Sequence, residues 1–282
     1  MKPARFSYVR PESLAEALQL LAEHGSDAAI LAGGQSLMPM LNLRFARPAL
    51  IIDIKRVPGL DGVSLDGARL RIGALTRHAD VLRSVLVCQH APLLHLAMRH
   101  VAHAAIRNRG TFGGSLALAD PAAELPACVV CLEGEIVVAS ANGERRIPAE
   151  TFFQGIYATA LAEGEMILCV ELPVSPTGWS WDFDEVSRRH GDFAMAGLVL
   201  GLHNEGDRIA ECRIAFCGVE AAPRRIPAVE EIIVGSGAVS AALKVLEDTL
   251  QPLESEDYPP AYRVHLAGVL LERALARQDI VK

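Results

Sequence analysis

Residues 28–36 read Ala28-Ala29-Ile30-Leu31-Ala32-Gly33-Gly34-Gln35-Ser36, an apolar run that passes without interruption into a glycine turn. Four apolar residues bounded by a turn predict a short buried strand. The following residues, 37–45, predict a short helix, and Leu50-Ile51-Ile52-Asp53-Ile54 predicts a second buried strand. Strand, glycine turn, helix and strand are the parts of an α/β unit. Upstream, Ser13 and Glu16 stand at capping-box spacing, Leu14, Ala17, Leu18 and Leu21 recur at helical spacing, and Gly25 supplies a stop.

Beyond residue 57 the elements shorten. Strands are expected at 63–65 and 69–74, a helix capped by Thr76, a longer helix over 92–105, another near 124–132, and strands near 135–139 and 166–172. That mixture predicts an α+β lobe. Pro173, Pro176 and Gly178 place three breakers within six residues and mark a domain boundary, giving expected domains 1–176 (lobes 1–56 and 57–176) and 177–282. After it, Trp179, Trp181 and Phe183 alternate with Ser180, Asp182 and Asp184, the pattern of a strand with one apolar face. Strands at 194–203 and 208–217 around the turn Asn204-Glu205-Gly206-Asp207, then helices at 229–234, 239–250 and 260–278, complete a small antiparallel sheet with helices.

The chain has 282 residues, 51% of them hydrophobic and 22% charged, enough to bury more than one core. A net charge of −7 opposes a nucleic-acid partner, which needs basic surface to displace counterions. No apolar run is long enough to span a bilayer, and the start MKPARFSYVRPES lacks the apolar core of a secretion signal, so the cytoplasm is the expected compartment. Six cysteines lie mostly in apolar stretches, as buried thiols do in a reducing compartment. Cys128 and Cys131 form a C-x-x-C without a second pair to complete four ligands, and read as core residues.

The chemistry is concentrated in two glycine turns, residues 32–36 and Arg109-Gly110-Thr111-Phe112-Gly113-Gly114-Ser115. Glycine lets a ligand approach the backbone, consecutive amides converge on phosphate, and the hydroxyls of Ser36, Thr111 and Ser115 add donors. Two such turns suit the two phosphates of a dinucleotide; each by itself is equally a plain tight turn. Neither has the G-x-G-x-x-G spacing, and G-x-x-x-x-G-K and G-x-S-x-G are absent, so a Rossmann site, a P-loop and a nucleophile elbow are unsupported. His100 and His103 are expected on a helix face without ligand partners, and Arg107 and Arg109 either balance diphosphate charge or solvate a helix end.

Four segments in order, residues 32–36, 107–115, Ala119-Asp120-Pro121-Ala122-Ala123-Glu124 and Ser187-Arg188-Arg189-His190-Gly191-Asp192-Phe193-Ala194, give the chain its likeness. Together they resemble the FAD-binding medium subunits of molybdenum hydroxylases, the family of carbon monoxide dehydrogenase and, more distantly, xanthine dehydrogenase. The resemblance implies a two-lobed FAD-binding domain of the vanillyl-alcohol-oxidase (PCMH) type followed by a C-terminal domain. It places Ala32, Gly33, Gly34, Gln35 and Ser36, with Thr111, Phe112, Gly113, Gly114 and Ser115, on the FAD diphosphate. It puts Glu124 on the adenosine ribose, Val101 and Ile167 in the cofactor wall, and residues 188–193 near the isoalloxazine edge. It further implies a large molybdopterin subunit and a small subunit with two [2Fe-2S] clusters as separate partners, in a dimer of heterotrimers. In such a complex FAD here passes cluster electrons to a terminal acceptor. The Cys-rich insertion of 4-hydroxybenzoyl-CoA reductase subunits is missing. The competing readings are a free-standing flavin oxidase or reductase on the same fold, and an assembly module with a vestigial flavin.

Overall fold

The computed structural model describes residues 2–278 apart from 176, 207, 256 and 257, so Pro176 and Asp207 of the expected boundary and turn lie outside the described residues. The N-terminal unit runs β1 (Ser7–Val9), α1 (Leu14–His24), β2 (Ala28–Leu31), α2 (Leu37–Leu43) and β3 (Leu50–Asp53). Its strands form a parallel sheet in the order β1-β3-β2, with Leu31 opposite Asp53. The helix α1 starts as its sequence dictates: Glu16 N donates to Ser13 Oγ at 3.2 Å, while the Glu16 carboxylate reaches back to Glu12 N at 2.9 Å, one residue beyond the cap.

The middle unit comprises β4 (Val63–Asp66), β5 (Arg69–Gly73), α3 (His78–Arg83), α4 (Val85–His90), α5 (Pro92–Ala97), α6 (Ala104–Arg107), α7 (Phe112–Leu118), α8 (Glu124–Cys131), β6 (Glu135–Ser140), β7 (Gly143–Pro148), α9 (Ala149–Phe152), the small pair β8 (Phe153–Gly155) and β9 (Ala158–Thr159), and β10 (Met166–Pro173). Its five-stranded antiparallel sheet has the order β4-β5-β10-β6-β7. Two expectations are corrected. Thr76 is no helix cap: α3 begins at His78, and the Thr76 hydroxyl donates to Gly62 O at 2.9 Å. The helix expected over 92–105 is two helices, because Ala102 adopts φ 45° and turns the chain between α5 and α6. Cys128 and Cys131 are buried in α8, where burial pushes both thiols up, consistent with their reading as core.

The C-terminal unit contains the antiparallel sheet β11 (Trp179–Ser187), β12 (Ala194–Glu205) and β13 (Arg208–Cys217), followed by α10 (Pro227–Ser236), α11 (Val239–Thr249) and α12 (Pro260–Arg277). Strand β12 is covered on both faces. Val199 joins Phe183, Ala215 and Cys217 against the core of the middle unit, whereas Leu198, Leu200 and Leu202 face the helices. The polar side of β11 is closed by Arg277 of α12, which donates to Asp182 and Asp184 at 2.8 and 3.0 Å.

One buried ion pair fixes α10 on the sheet. The Glu230 carboxylate accepts from Ile214 N at 2.8 Å and from Arg225 Nη2 at 2.6 Å. Removing it strands the Ile214 amide in the interior, while Arg225, which is 28% exposed, keeps Glu133 at 2.9 Å, so Glu230→Ala is expected to lower stability by about 1–3 kcal/mol. Urea denaturation checks this, and a loss below about 1 kcal/mol would show that the pair is replaceable by water.

Candidate functional site

A cleft of about 920 Å³ opens where the three units meet. It lies within the size range of cofactor sites, roughly 300–1,000 Å³. The first glycine turn and the start of α2 form one wall. Residues 110, 111 and 113–115 form the facing wall, with Val101 and Ile167 as apolar sides and Glu124 at the base of α8. Gly191, Asp192 and Phe193 close one rim from the C-terminal unit. Twelve of the thirteen residues singled out from the sequence therefore line one space. The exception is Phe112, whose side chain is fully buried in the core beside Leu116 and does not line the cleft.

The two turns do different work. Among the described residues no protein acceptor stands against the amides of Gly33, Gly34, Gln35 or Ser36, although Gln35 Nε2 donates to Gly33 O at 3.0 Å. Gly34 sits at φ 72°, a conformation open to glycine, and a Cβ there would press on the Leu31 and Met38 side chains at 3.1 and 3.2 Å. Four unspent donors facing a cleft are a cradle for phosphate oxygens. In the second turn four amides are already satisfied: Phe112 N donates to Thr76 O and Gly113 N to Ala74 O, each at 2.9 Å, Gly114 N to Thr111 Oγ1 at 3.3 Å, and Ser115 N to Thr111 O at 3.1 Å, whereas the Thr111 amide has no protein acceptor among the described residues. The expectation that its consecutive amides converge on a ligand is thus narrowed to the Thr111 amide. The turn contributes shape and the Ser115 hydroxyl, while Thr111 caps α7.

Close approach explains two of the glycines. A Cβ on Gly33 would overlap the Arg109 carbonyl oxygen and stand 2.9 Å from Gly110 Cα, so the two turns lean on each other backbone to backbone. A Cβ on Gly113 would stand 2.6 Å from Ala74 Cβ. Gly114 differs: beyond the Thr111 hydroxyl at 2.7 Å, its Cβ would face Ala32 Cβ at 3.9 Å across the gap between the walls.

The second turn is held by His78, which sequence reading did not single out. Burial holds this imidazole down to about 4, so it is neutral, and Nε2 donates to Thr111 O at 3.0 Å. No lysine or arginine lines the cleft among the described residues. Arg107 is instead committed to the carbonyls of Val101 and Ala102 at 2.8 and 2.6 Å, which decides its role as a backbone cap. The acidic lining is largely tied down. Glu165 is paired with Arg145 at 2.6 Å, Glu163 accepts from Ser26 N at 2.8 Å, and Asp120 from Ala122 N at 2.9 Å. Residues 161–165 bear no sequence signal for this role, since the contacts that hold them, Glu163 with Ser26 N and Glu165 with Arg145, are long-range.

Glu124 is 8% exposed, and burial, reinforced by the nearby Glu185 carboxylate, pushes it up to about 8. A carboxyl raised from 4.5 to about 8 holds a proton in the folded state that the unfolded chain releases, so stability falls as pH rises through that window. We expect the cofactor-free chain to lose stability at up to about 1.4 kcal/mol per pH unit between about 5 and 8, and Glu124→Gln to flatten that slope. Urea midpoints at three pH values measure it; parallel slopes for the two proteins would place Glu124 in a wetter setting.

His100 and His103 do not share a helix. His100 lies in the turn after α5, where its Nδ1 stands 3.6 Å from Glu185 Oε1 of β11 and the carboxylate raises its pKa, and His103 precedes α6 beside Gly191. These contacts brace the segment that carries Val101.

Comparison with known proteins gives the same architecture a family. Residues 4–175 match the FAD binding domain in molybdopterin dehydrogenase, and residues 181–278 match the CO dehydrogenase flavoprotein C-terminal domain. The 6-hydroxypseudooxynicotine dehydrogenase complex subunit alpha of Paenarthrobacter nicotinovorans is 40% identical, covering 98% of this chain and 95% of that protein. The carbon monoxide dehydrogenase medium chain of Hydrogenophaga pseudoflava is 36% identical over 98% of this chain and 97% of its own length. Among solved structures, quinoline 2-oxidoreductase from Pseudomonas putida 86 superposes with a TM-score of 0.94 at 35% identity, with both chains fully covered.

Proposed function

The chain belongs to the family of FAD-binding medium subunits of molybdenum hydroxylases, and on that premise we propose that it carries electrons from the [2Fe-2S] clusters of a small partner subunit to a terminal acceptor. The family is one of oxidoreductase components of multi-subunit complexes, with FAD as this chain's cofactor and molybdopterin and iron–sulfur centres in other subunits. The observation that carries the reading is the cleft between two glycine turns with four unspent amides on one wall.

In this reading the amides of residues 33–36 and the hydroxyls of Ser36 and Ser115 hold the diphosphate. Glu124 accepts from the adenosine ribose, and Ala32, Val101 and Ile167 wall the cofactor. Thr111, Gly113 and Gly114 shape the second wall, and residues 191–193 of the C-terminal unit border the isoalloxazine edge. Bound there, FAD supplies a redox centre that accepts electrons and passes them on. No side chain of the chain is assigned the role of acid, base or nucleophile; its task is to position the cofactor and limit water around it. The molybdopterin subunit oxidises the substrate and sets its identity, in a cytoplasmic dimer of heterotrimers with domains 1–176 and 177–282 in this chain. No described helix is long and apolar enough to cross a membrane.

Purification from the native host with metal, flavin and subunit analysis tests the proposal. Molybdenum, iron and FAD are expected together with two further polypeptides, and the isolated chain is expected to hydroxylate nothing. Substrate turnover by this polypeptide without molybdenum would replace the subunit reading with a free-standing flavin oxidase.

A further inference from the structure

A second cavity, of about 450 Å³, lies between the middle and C-terminal units. It is built from the turn between α7 and α8, the turn between β8 and β9, the β11–β12 loop and the connection from α11 into α12. Asp120, Asp192 and Phe193 line this cavity and the cofactor cleft alike, so the two spaces share a wall. The cleft reading uses none of the other residues around it.

The lining is rich in rings. Ile156, Tyr157 and Phe193 stand around it 54%, 60% and 74% exposed, and the Tyr258 ring faces two guanidinium groups, Arg188 at 5.2 Å and Arg263 at 5.5 Å. Ring faces with a few polar groups suit a planar aromatic compound. Phosphate is opposed on two counts. The amides of Ala122, Tyr157, Asp192, Gly218 and Leu253 are all spent on protein acceptors, unlike those of residues 33–36. The lining also sets three carboxylates, Asp120, Asp192 and Glu254, against its two guanidiniums, and Arg263 is committed to the carbonyls of Met195 and Gly218 and to Ser255 Oγ.

We propose that this second cavity holds the terminal electron acceptor, and that the acceptor is an uncharged quinone-type ring. This rests on the function proposed above and names the acceptor class that it leaves open. Size selects a compound of one or two rings over a second dinucleotide, since the cavity has about half the volume of the cofactor cleft. Charge selects an uncharged ring over one that carries phosphates. Tyr157 and Tyr258 bring hydroxyl donors for ring carbonyls; the Tyr157 hydroxyl now spans a long 3.3 Å to Asp120 Oδ2. Position selects an electron acceptor, because the shared wall includes Asp192 and Phe193, the residues that border the isoalloxazine edge in the proposed function. Two electrons and two protons leave the reduced FAD and reach the two carbonyl oxygens of the ring, which become the hydroxyls of a hydroquinone, and the FAD returns to its oxidised form.

The test uses the FAD-loaded full-length chain, reduced by light without oxygen and mixed with 1,4-naphthoquinone while flavin absorbance is followed. The reoxidation rate is expected to saturate with quinone concentration, as it does when the acceptor binds before it is reduced. Ile156→Trp adds bulk at a half-exposed position of the lining and is expected to raise the half-saturating concentration about tenfold. Tyr258→Phe removes one hydroxyl and is expected to raise it about threefold. Val85→Trp, on exposed α4 outside both cavities, is expected to behave as wild type, and dioxygen to reoxidise all four proteins at one rate. Should Ile156→Trp slow dioxygen as much as quinone, the flavin itself is disturbed and Tyr258→Phe decides. A rate linear in quinone and equal in wild type, Ile156→Trp and Tyr258→Phe overturns the acceptor cavity and leaves the subunit reading intact. Saturable reoxidation by NAD, slowed by Ile156→Trp, would overturn the quinone class. Folded wild-type chain that takes up no FAD defeats the subunit reading, and the acceptor cavity with it.

Discussion

Gly114→Asp is expected to strip the chain of FAD while leaving it folded. Gly114 lies in the first turn of α7 on the wall opposite the free amides, and the one close neighbour of a new Cβ outside its own helix backbone is the Thr111 hydroxyl, a side-chain end that is able to rotate. Backbone strain is therefore small, and the substitution adds a carboxylate to the cleft lining beside Ala32. There it meets the diphosphate with like charge, in a cleft whose lining offers no lysine or arginine among the described residues to screen it. Like-charge repulsion in a partly buried cleft, with the neighbouring Ser115 hydroxyl displaced from the phosphate, is expected to cost a few kcal/mol, so binding is expected to weaken by about 100-fold. Gly235, with open space around its Cβ and no positive φ, serves as the control. Equal FAD content in Gly114→Asp and Gly235→Asp, both folded by circular dichroism, would reduce the second turn to a structural element.

Gly33→Ala is expected to damage both the fold and the cofactor site, although it adds one methyl group. Its Cβ would meet the Arg109 carbonyl and Gly110 Cα, backbone atoms that have no rotamer to escape into. The two turns must separate, which costs about 1–3 kcal/mol as overpacking does elsewhere and displaces the amides of residues 33–36 from the facing wall. FAD binding is expected to fall about tenfold or more at that cost. Gly114→Ala, by contrast, displaces a single hydroxyl and should retain most of its flavin. Thermal unfolding and flavin retention of the two alanine variants separate these roles. Wild-type behaviour of Gly33→Ala would mean that contact between the turns does not set the width of the cleft.

Much of this was legible in the sequence where the signal is local. The strand at residues 28–31, the Ser13 cap, and the strands and helices after residue 179 declare themselves through apolar period, capping residues and breakers. Short edge strands do not. Ser-Tyr-Val of β1 is three residues long, and β7, Gly-Glu-Arg-Arg-Ile-Pro, buries only Ile147, so neither shows an alternating apolar face. The turn between α5 and α6 is invisible for another reason. Its apolar spacing continues as if helical, and the chain is turned there with His100 held toward Glu185, Arg107 capping two carbonyls and Gly191 pressed against His103. All but the Arg107 caps are contacts with residues some 90 positions away. The glycine turns show the same division. Their presence and partnership were readable, but which turn keeps its amides free depends on Thr76 and Ala74 accepting from the second, a pairing made only by the folded chain.

Hydrogen–deuterium exchange on the full-length chain with and without FAD tests the central claim most directly, because it reads the amides themselves. The amides of residues 33–36 are expected to exchange freely without cofactor and to become protected when FAD binds. Those of Phe112 and Gly113, already bonded to Thr76 and Ala74, should be protected in both states. FMN, which carries one phosphate, should protect residues 33–36 far less. Unchanged exchange at residues 33–36 in chain that has demonstrably taken up FAD would contradict it, and the cofactor would then have to be sought outside the cleft between the two turns.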